Sequence, residues 1–516
     1  MFPISESGST STAMVEMENA VARVKEAQLQ FSTFSQEQVD HIVKSIAEAA
    51  FKQSEYLAKL AVEETGMGVV EHKKIKNELG SMGVYESIRD EKTVGVIQKN
   101  HALKITEIAY PFGVIAAICP TTNPTSTAIF KTIIALKAQN GIVVSPHPSA
   151  AKCTVEALKI CNEAAVQAGA PQGLIGWITN PIMEATTALM KHKNVDLLLA
   201  TGGKGLVKVA YSSEKPAYGV GPGNGPAFIE KSANVKKAVQ MIVDSKTFDN
   251  GTLCSTEQSI VVHKNIKAIV LREFQNNGSY ILNPTEKALL GKLIAPTPGH
   301  LNAAIVGRSA EKIANMAGID VPLGTRVLIA EEDQIGEDVP FSLEKLAPIF
   351  PLYTADSNEQ AHQICKDLLN FVGRGHSCSI HTTDDEAVQK YGLEMPVSRV
   401  LVNTLASIGA AGGTTGLMPS LTLGCGSYGG NISSDNITAR HLFNIKRVAF
   451  GIKEVSIPKP SPRNSNYVKE QVNKDYAQNI NDIVDQVLKQ VHSNKLSMDP
   501  NDLSQTIQNV IKEYKN

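Results

Sequence analysis

Residues 114–146 read "VIAAICPTTNPTSTAIFKTIIALKAQNGIVVSP". Five apolar residues, a polar loop with two prolines, a helix-length segment and a second apolar run follow one another. Runs this short and this continuously apolar are what a strand covered on both faces requires. The reading is a buried strand at 114–118, a helix through "STAIFKTIIALKAQN", and a strand at "GIVVSP". The same unit recurs to about residue 230. "GIVVSP" leads to "SAAKCTVEALKICNEAAVQAG", "LIGWIT" to "IMEATTALMKH", and "VDLLLAT" to "GLVKVAYSS". Such alternation predicts an α/β fold with a mainly parallel sheet and helices on both faces. Open sheets of this kind bind ligands beyond the carboxyl ends of their strands. That rule places "CPTTNPTST", "SPHPSA" and "TGGKG" at the functional edge.

Upstream, residues 36–64 set Val39, Ile42, Val43, Ile46, Ala49 and Ala50 at helical spacing, with Ser35 as N-cap. A second helical stretch fills 68–90. The segment from 93 alternates, is rich in β-branched residues and breaks at Asn100-His101, which predicts a hairpin or arm. Downstream, a second α/β region runs from about 232 to about 440. Then "IPKPSPRNSNY" (457–467) reads as a proline-marked linker. Beyond it, Ile480, Ile483, Val484, Val487, Leu488 and Val491 form one apolar stripe on a polar helix. Leu503, Ile507, Val510, Ile511 and Tyr514 repeat the pattern. Both tail helices are expected to be short and to need a partner surface.

The length, 516 residues, is soft evidence for two or three domains. With 42% apolar and 20% charged residues and a net charge of −1, the chain has no electrostatic reason to bind nucleic acid. Its apolar runs are too short to span a bilayer, and the start lacks the regions of a secretory signal. The seven cysteines are scattered with no C-x-x-C pair, so the expectation is a reducing, cytoplasmic setting with neither a disulfide scaffold nor a metal site.

Four segments could carry chemistry. Cys254 lies in "FDNGTLCSTEQS", a polar, glycine-marked break between a helix and a strand, an odd place for a packing cysteine. Asn123, held before Pro124, could donate to an oxyanion, or could serve turn geometry alone. "TGGKG" (201–205) opens a helix and suits a phosphate. "GVGPGNGP" (219–226) requires either a close approach to the backbone or positive φ angles.

Together "CPTTNPTSTAIFKT", "SPHPSA", "LLLATGGKGLVKVAYSS", "GVGPGNGP", "KTFDNGTLCSTEQSIVV", "EKLAPI" and "PSLTLGCGSYGGN" resemble the CoA-acylating aldehyde dehydrogenases. They are especially similar to the aldehyde half of bifunctional aldehyde–alcohol dehydrogenases, from about 20 to 455. The iron-dependent alcohol half is expected to be missing, since the chain ends too soon. The resemblance implies an aldehyde dehydrogenase fold: a Rossmann-like cofactor domain (1–92 and 113–230), an α/β catalytic domain (231–442), and a β-arm for oligomerisation (93–112 and 443–457). A linker and amphipathic helical tail follow at 458–516.

The same resemblance gives roles. Cys254 matches the nucleophile, and Asn123 the oxyanion-hole amide that works with the Cys254 peptide N–H. Ser145, His147 and Pro148 match the adenosine-ribose loop. Thr201, Gly202 and Gly203 match the pyrophosphate loop, Gly221 belongs to the cofactor-facing glycine segment, and Glu344 matches the nicotinamide-ribose ligand. Leu346 stands where the family usually has Phe. Gly219 stands where hydrolytic relatives carry a glutamate base for water. The implied reaction is reversible oxidation of a short-chain aldehyde such as acetaldehyde or propionaldehyde to acyl-CoA. NAD or NADP is the cofactor and coenzyme A the cosubstrate. The rival readings are a hydrolytic enzyme giving the free acid and an inactive scaffold. A homodimer or homotetramer is implied. The tail resembles peptides that dock enzymes to bacterial microcompartment shell proteins, against the alternative that it packs on the enzyme.

Overall fold

The computed structural model describes residues 6–458 and 464–493, with 499, 501 and 504. It comprises two units, Met1–Ala449 and Phe450–Asn516. In the first, helices Glu6–Phe31, Gln36–Lys52 and Ser54–Thr65 lead the chain. Ser35 caps the second through a reciprocal capping box with Gln38. The helix expected over 36–64 is broken at Gln53, which ends one helix and begins the next.

The strands of the arm and the first large sheet are β1 (Gly95–Asn100), β2 (Ile105–Pro111), β3 (Val114–Ile118), β4 (Gly141–Ser145), β5 (Ile175–Trp177), β6 (Leu197–Thr201) and β7 (Ala217–Val220). Strands β5-β4-β3-β6-β7 form a parallel sheet in that order. The period of two decides which core each residue serves. Ile115 and Ala117 of β3 pack with Phe130 and Ile134 of helix Pro124–Lys137. Val114, Ala116 and Ile118 face Met17, Val21 and Val24 of the first helix. Helix Pro124–Lys137 is buried along its whole length. Its Lys131 donates to the carbonyls of Ile118 at 2.7 Å and Leu199 at 2.8 Å, tying β3 to β6 where the crevice opens.

The second sheet contains β8 (Pro226–Ile229), β9 (Ser259–His263), β10 (Ser279–Ile281), β11 (Val327–Glu331), β12 (Ile349–Ala355), β13 (Gly375–His381) and β14 (Val397–Val402), in the parallel order β10-β11-β12-β9-β8-β13-β14. The chain passes between the sheets at 221–225, earlier than the boundary expected at 230, because β8 already pairs with β9 and β13. A last strand, β15 (Phe443–Ala449), joins β2 antiparallel, which makes a three-stranded sheet β1-β2-β15 from the segments 93–112 and 443–457.

Among the described residues the second unit contains the helix Asn464–Ser493. It begins inside the segment read as linker, since Pro462 is the last residue there that opposes a helix. At 30 residues it is also longer than the short helix expected. Ile480, Val484 and Leu488 of its stripe are half-buried. The side chains of Ile483, Val487 and Val491, and the whole second stripe from Leu503 to Tyr514, lie outside the described residues. Among the described residues no helix is long and apolar enough to cross a membrane.

Ile115 is fully buried between β3 and its helix. Ile115→Ala is expected to cost about 2–5 kcal/mol, the usual loss for truncating a core aliphatic. A lowered thermal midpoint checks this; an unchanged one would place Ile115 outside the core.

Candidate active site

Helix Val235–Thr247 ends seven residues before Cys254. Between them Asp249, Asn250 and Gly251 take φ of 51°, 53° and 78° in succession. Two consecutive non-glycine residues in this region are strained and persist only if neighbours hold them. Asp249 N–H donates to His72 Nδ1 at 2.9 Å, Val69 N–H donates to Asp249 Oδ1 at 2.8 Å, and Asn250 Nδ2 donates to the Gly307 carbonyl at 3.0 Å. This turn reverses the chain so that Leu253 and Cys254 enter a second turn, closed by Thr256 N–H on the Leu253 carbonyl at 3.0 Å, before β9 begins.

Asp249 is also the centre of a buried charge cluster. Its Oδ2 accepts from Lys76 Nζ at 2.5 Å, Lys73 Nζ at 3.0 Å and Thr252 Oγ1 at 2.6 Å. Burial alone would raise the Asp249 carboxyl, but Lys76 and Lys73 outweigh it and hold it at about 2. Lys76 in turn donates to Asn123 Oδ1 at 2.6 Å and approaches Thr252 Oγ1 at 2.9 Å. Asn123 occupies the N-cap position of helix Pro124–Lys137, yet its side chain makes no capping bond. Its oxygen belongs to Lys76, and its Nδ2 points to Thr122 Oγ1 at 3.1 Å and the Thr252 carbonyl at 3.4 Å. The amide is thus held by its acceptor end, with its donor end beside the Cys254 turn.

Asn123 and Cys254 line one cleft of about 560 Å3, together with His147, Pro148, Thr201, Gly202, Gly203, Gly221 and Glu344. The cleft lies off the carboxyl ends of β3, β4 and β6, where the fold places ligands. Ser145 is the exception among the expected residues. It ends β4 fully buried, its Oγ bonded to Thr186 Oγ1 at 2.8 Å, and only Thr186 reaches the cleft.

The seven thiols are all free, six of them buried; Cys254 alone is half-open. Acidity does not single it out. Burial, with the nearby Glu344 carboxylate, pushes the Cys254 thiol up to about 12, while burial holds Cys119, which also borders the cleft, near 11. Access and the Asn123 amide distinguish Cys254.

The glycine segment resolves in favour of close approach. None of Gly219, Gly221, Gly223 and Gly225 has a positive φ. A Cβ at Gly223 would run into the Cys254 carbonyl oxygen, and one at Gly225 would lie 2.6 Å from the Ser377 carbonyl. Gly223 N–H donates to Glu344 Oε1 at 2.9 Å, so the same loop pins the one carboxylate among the described cleft residues. At Gly219 a Cβ would point onto Val207 and Tyr211, away from the cleft, whereas one at Gly221 would meet nothing within 4 Å. A side chain entering the cleft from this segment would therefore come from 221.

Sequence reasoning missed Lys73, Lys76, Asp249 and His376. The lysines fall in the helical stretch 68–90, where nothing in the local sequence marks them as buried. His376 is fully buried beside Gly223, kept neutral because burial and Arg399 push it down to about 3, and its Nε2 has no hydrogen-bond partner among the described residues. A histidine opening the buried strand "GHSCSIH" was the available signal.

A model of the aldehyde dehydrogenase family matches residues 7–288. The chain is 47% identical over 443 residues to an aldehyde-alcohol dehydrogenase of Clostridium acetobutylicum, a match covering 85% of this chain and 51% of that one. It thus spans about half the length of that relative. An acetylating aldehyde dehydrogenase from Geobacillus thermoglucosidasius superposes with a TM-score of 0.85 at 50% identity, covering 87% of this chain and 99% of that one. A propionaldehyde dehydrogenase from the Clostridium phytofermentans fucose utilisation bacterial microcompartment superposes with a TM-score of 0.77 at 30% identity, covering 84% and 97%.

Cys254→Ala is expected to abolish aldehyde turnover, with each of the other six cysteines dispensable. Asn123→Ala should lower kcat by about 10²–10³, the loss typical of one oxyanion donor. Steady-state kinetics check both; an effect of Asn123→Ala confined to KM would make it a binding residue.

Proposed function

This chain belongs to the aldehyde dehydrogenase family, and we propose that it oxidises a short-chain aldehyde to the acyl-CoA, reversibly, using NAD or NADP. The observation that carries the reading is a cysteine and an oxyanion-type amide in one cleft whose single lining carboxylate among the described residues, Glu344, is already engaged by Gly223.

The cleft suits a dinucleotide. Pro148, Pro181, Ile182 and Met183 give it an apolar wall for a flat ring, and Gly202 and Gly203 sit at the N-terminus of helix Lys204–Tyr211, where backbone N–H groups suit a diphosphate. A Cβ at Gly203 would meet nothing within 4 Å, so the backbone is open to approach. When bound, the nicotinamide supplies the hydride acceptor. Cys254 sulfur attacks the aldehyde carbon, and Asn123 Nδ2 donates to the oxygen as it gains charge. Loss of hydride leaves a thioester on Cys254. The sulfur of CoA attacks that thioester, and Cys254 leaves as thiolate. A thiol of ordinary pKa near 8.5 ionises far more readily than water, so this second attack needs little help from a base. Burial pushes the Glu344 carboxyl up to about 8, and its Oε1 is taken up by the Gly223 N–H at 2.9 Å, so it is not free to orient a water.

Two further readings stand on other surfaces. Val96, Tyr110, Ile445 and Val448 are exposed apolar residues of the β1-β2-β15 sheet, and a second copy of the chain would cover them in a dimer or tetramer. Helix Asn464–Ser493 carries the half-buried stripe Ile480, Val484 and Leu488 on a polar helix, the form of a segment that docks into a groove. A shell protein of a bacterial microcompartment is the partner we assign to it, with cytoplasmic location otherwise.

With a short aldehyde and NAD, turnover should require CoA and yield acyl-CoA; free acid formed at an equal rate without CoA would overturn the reading. Gly221→Glu should suppress the CoA-dependent rate and admit slow hydrolysis, whereas Gly219→Glu should chiefly lower the thermal midpoint, since it drives a side chain into Val207 and Tyr211. Truncation after Pro458 should leave activity intact and abolish co-purification with shell proteins; loss of activity would make the tail part of the enzyme body.

A further inference from the structure

The cluster behind Asn123 has an unbalanced charge. Lys73, Lys76 and Asp249 are at most 3% exposed in their side chains. Lys76 Nζ lies within hydrogen-bond distance of three oxygens, Asp249 Oδ2, Asn123 Oδ1 and Thr252 Oγ1. Satisfying three acceptors takes three N–H donors, which only the ammonium form has. Lys73 donates to the Thr122 carbonyl at 3.0 Å as well as to Asp249. His72 accepts the Asp249 N–H on Nδ1 and is driven toward neutrality by burial. Two ammonium groups against one carboxylate leave one positive charge, out of water and with no second carboxylate paired to it among the described residues. Burying such a charge is costly unless something pairs with it. The groups that face it from the cleft side are Asn123, Thr252 and Cys254; burial pushes the Lys76 ammonium down to about 8, while Asp249 and, more weakly, Cys254 favour its charged form. Glu344 and Arg399 act on the same thiol from the other sheet, with opposite signs.

We propose that Lys76 is a positioning residue of this reaction, which fixes and polarises the Asn123 amide and sets an uncompensated buried positive charge beside Cys254, completed by the negative charge that appears first on sulfur and then on the alkoxide. The inference rests on the reading of Cys254 as nucleophile and Asn123 as oxyanion donor. Lys76 touches neither substrate nor sulfur in this scheme. It works through the oxygen of Asn123, so that the Nδ2 end faces the reacting carbonyl and donates more strongly. Its charge needs no reorganisation during the reaction, because Asp249 already holds it. The strained turn at Asp249 and Asn250 has a use on this account: it carries the carboxylate that keeps Lys76 in place.

The test compares wild type with Lys76→Met, which keeps most of the side-chain bulk and removes the charge. Alkylation of Cys254 by iodoacetamide is followed against pH, with peptide mass spectrometry to assign the cysteine, alongside kcat, KM and the thermal midpoint. The alkylation profile of Lys76→Met should move to higher pH, slowing the reaction about tenfold at a fixed pH, the effect of one unit in the thiol pKa. Its kcat should fall by about 10²-fold, the scale of a lost oxyanion donor, with KM for aldehyde nearly unchanged. A folded Lys76→Met whose alkylation profile overlays that of wild type overturns the proposal, whatever its kcat, because a merely structural lysine would leave the thiol alone. Should Lys76→Met not fold, Lys73→Met removes a charge from the same cluster while leaving the Asn123 partner in place; slower alkylation supports the proposal and an overlaid profile overturns it. If wild type shows no CoA-dependent turnover, the functional reading fails, while the alkylation profiles still decide the role of the cluster.

Discussion

The carboxylate of Asp249 is the point at which three parts of the molecule, distant in sequence, are joined. It lies on the turn before Cys254, it accepts from two lysines of the helix Val70–Glu78, and through Lys76 it reaches the loop after β3. Removing one partner of a buried ion pair typically costs about 3–5 kcal/mol, because the other charge is left stranded. That penalty, along with the three hydrogen bonds to backbone around the turn, offsets the strain of the left-handed pair Asp249 and Asn250. The Cys254 loop is therefore held from the side of the first sheet, although it belongs in sequence to the second.

This arrangement accounts for where the cleft is and what it contains. One wall comes from loops after β3, β4 and β6, the other from the Cys254 turn and the segment around Glu344. The crossover "GPGNG" closes the back, and its glycines are needed because the chain's own carbonyls at 254 and 377 come so near. An acyl group held on sulfur in such a place is away from any free carboxylate among the described cleft residues, so its fate turns on which nucleophile arrives. A thiol has the advantage over water there.

Much of the fold was legible because both sheets are parallel and covered on both faces, which forces short, continuous apolar strands such as "VIAAI" and "GIVVS". Cys254 was legible because a cysteine among Thr, Ser and Gly at a helix–strand break is out of place in a core. The crossover point was misjudged since "PAFI" is four residues long and follows the glycines directly, with no helix to announce a new sheet. Ser145 was expected in the site, but the pleat turns its hydroxyl inward to Thr186. Lys76 was beyond reach for a different reason. A lysine three positions after another on a polar helix reads as solvated, and only the tertiary partner at 249 reveals that it is buried. Contacts over 173 residues of sequence leave no local trace.

The central claim is that Cys254 carries the acyl group and that CoA, rather than water, takes it. Intact-mass and peptide spectra of the enzyme incubated with aldehyde and NAD, before and after adding CoA, address it directly. The account predicts one acyl adduct, on the peptide bearing Cys254, that persists without CoA and disappears with stoichiometric formation of acyl-CoA when CoA is added. An adduct on another cysteine, or one that decays to free acid as fast without CoA as with it, would contradict the account.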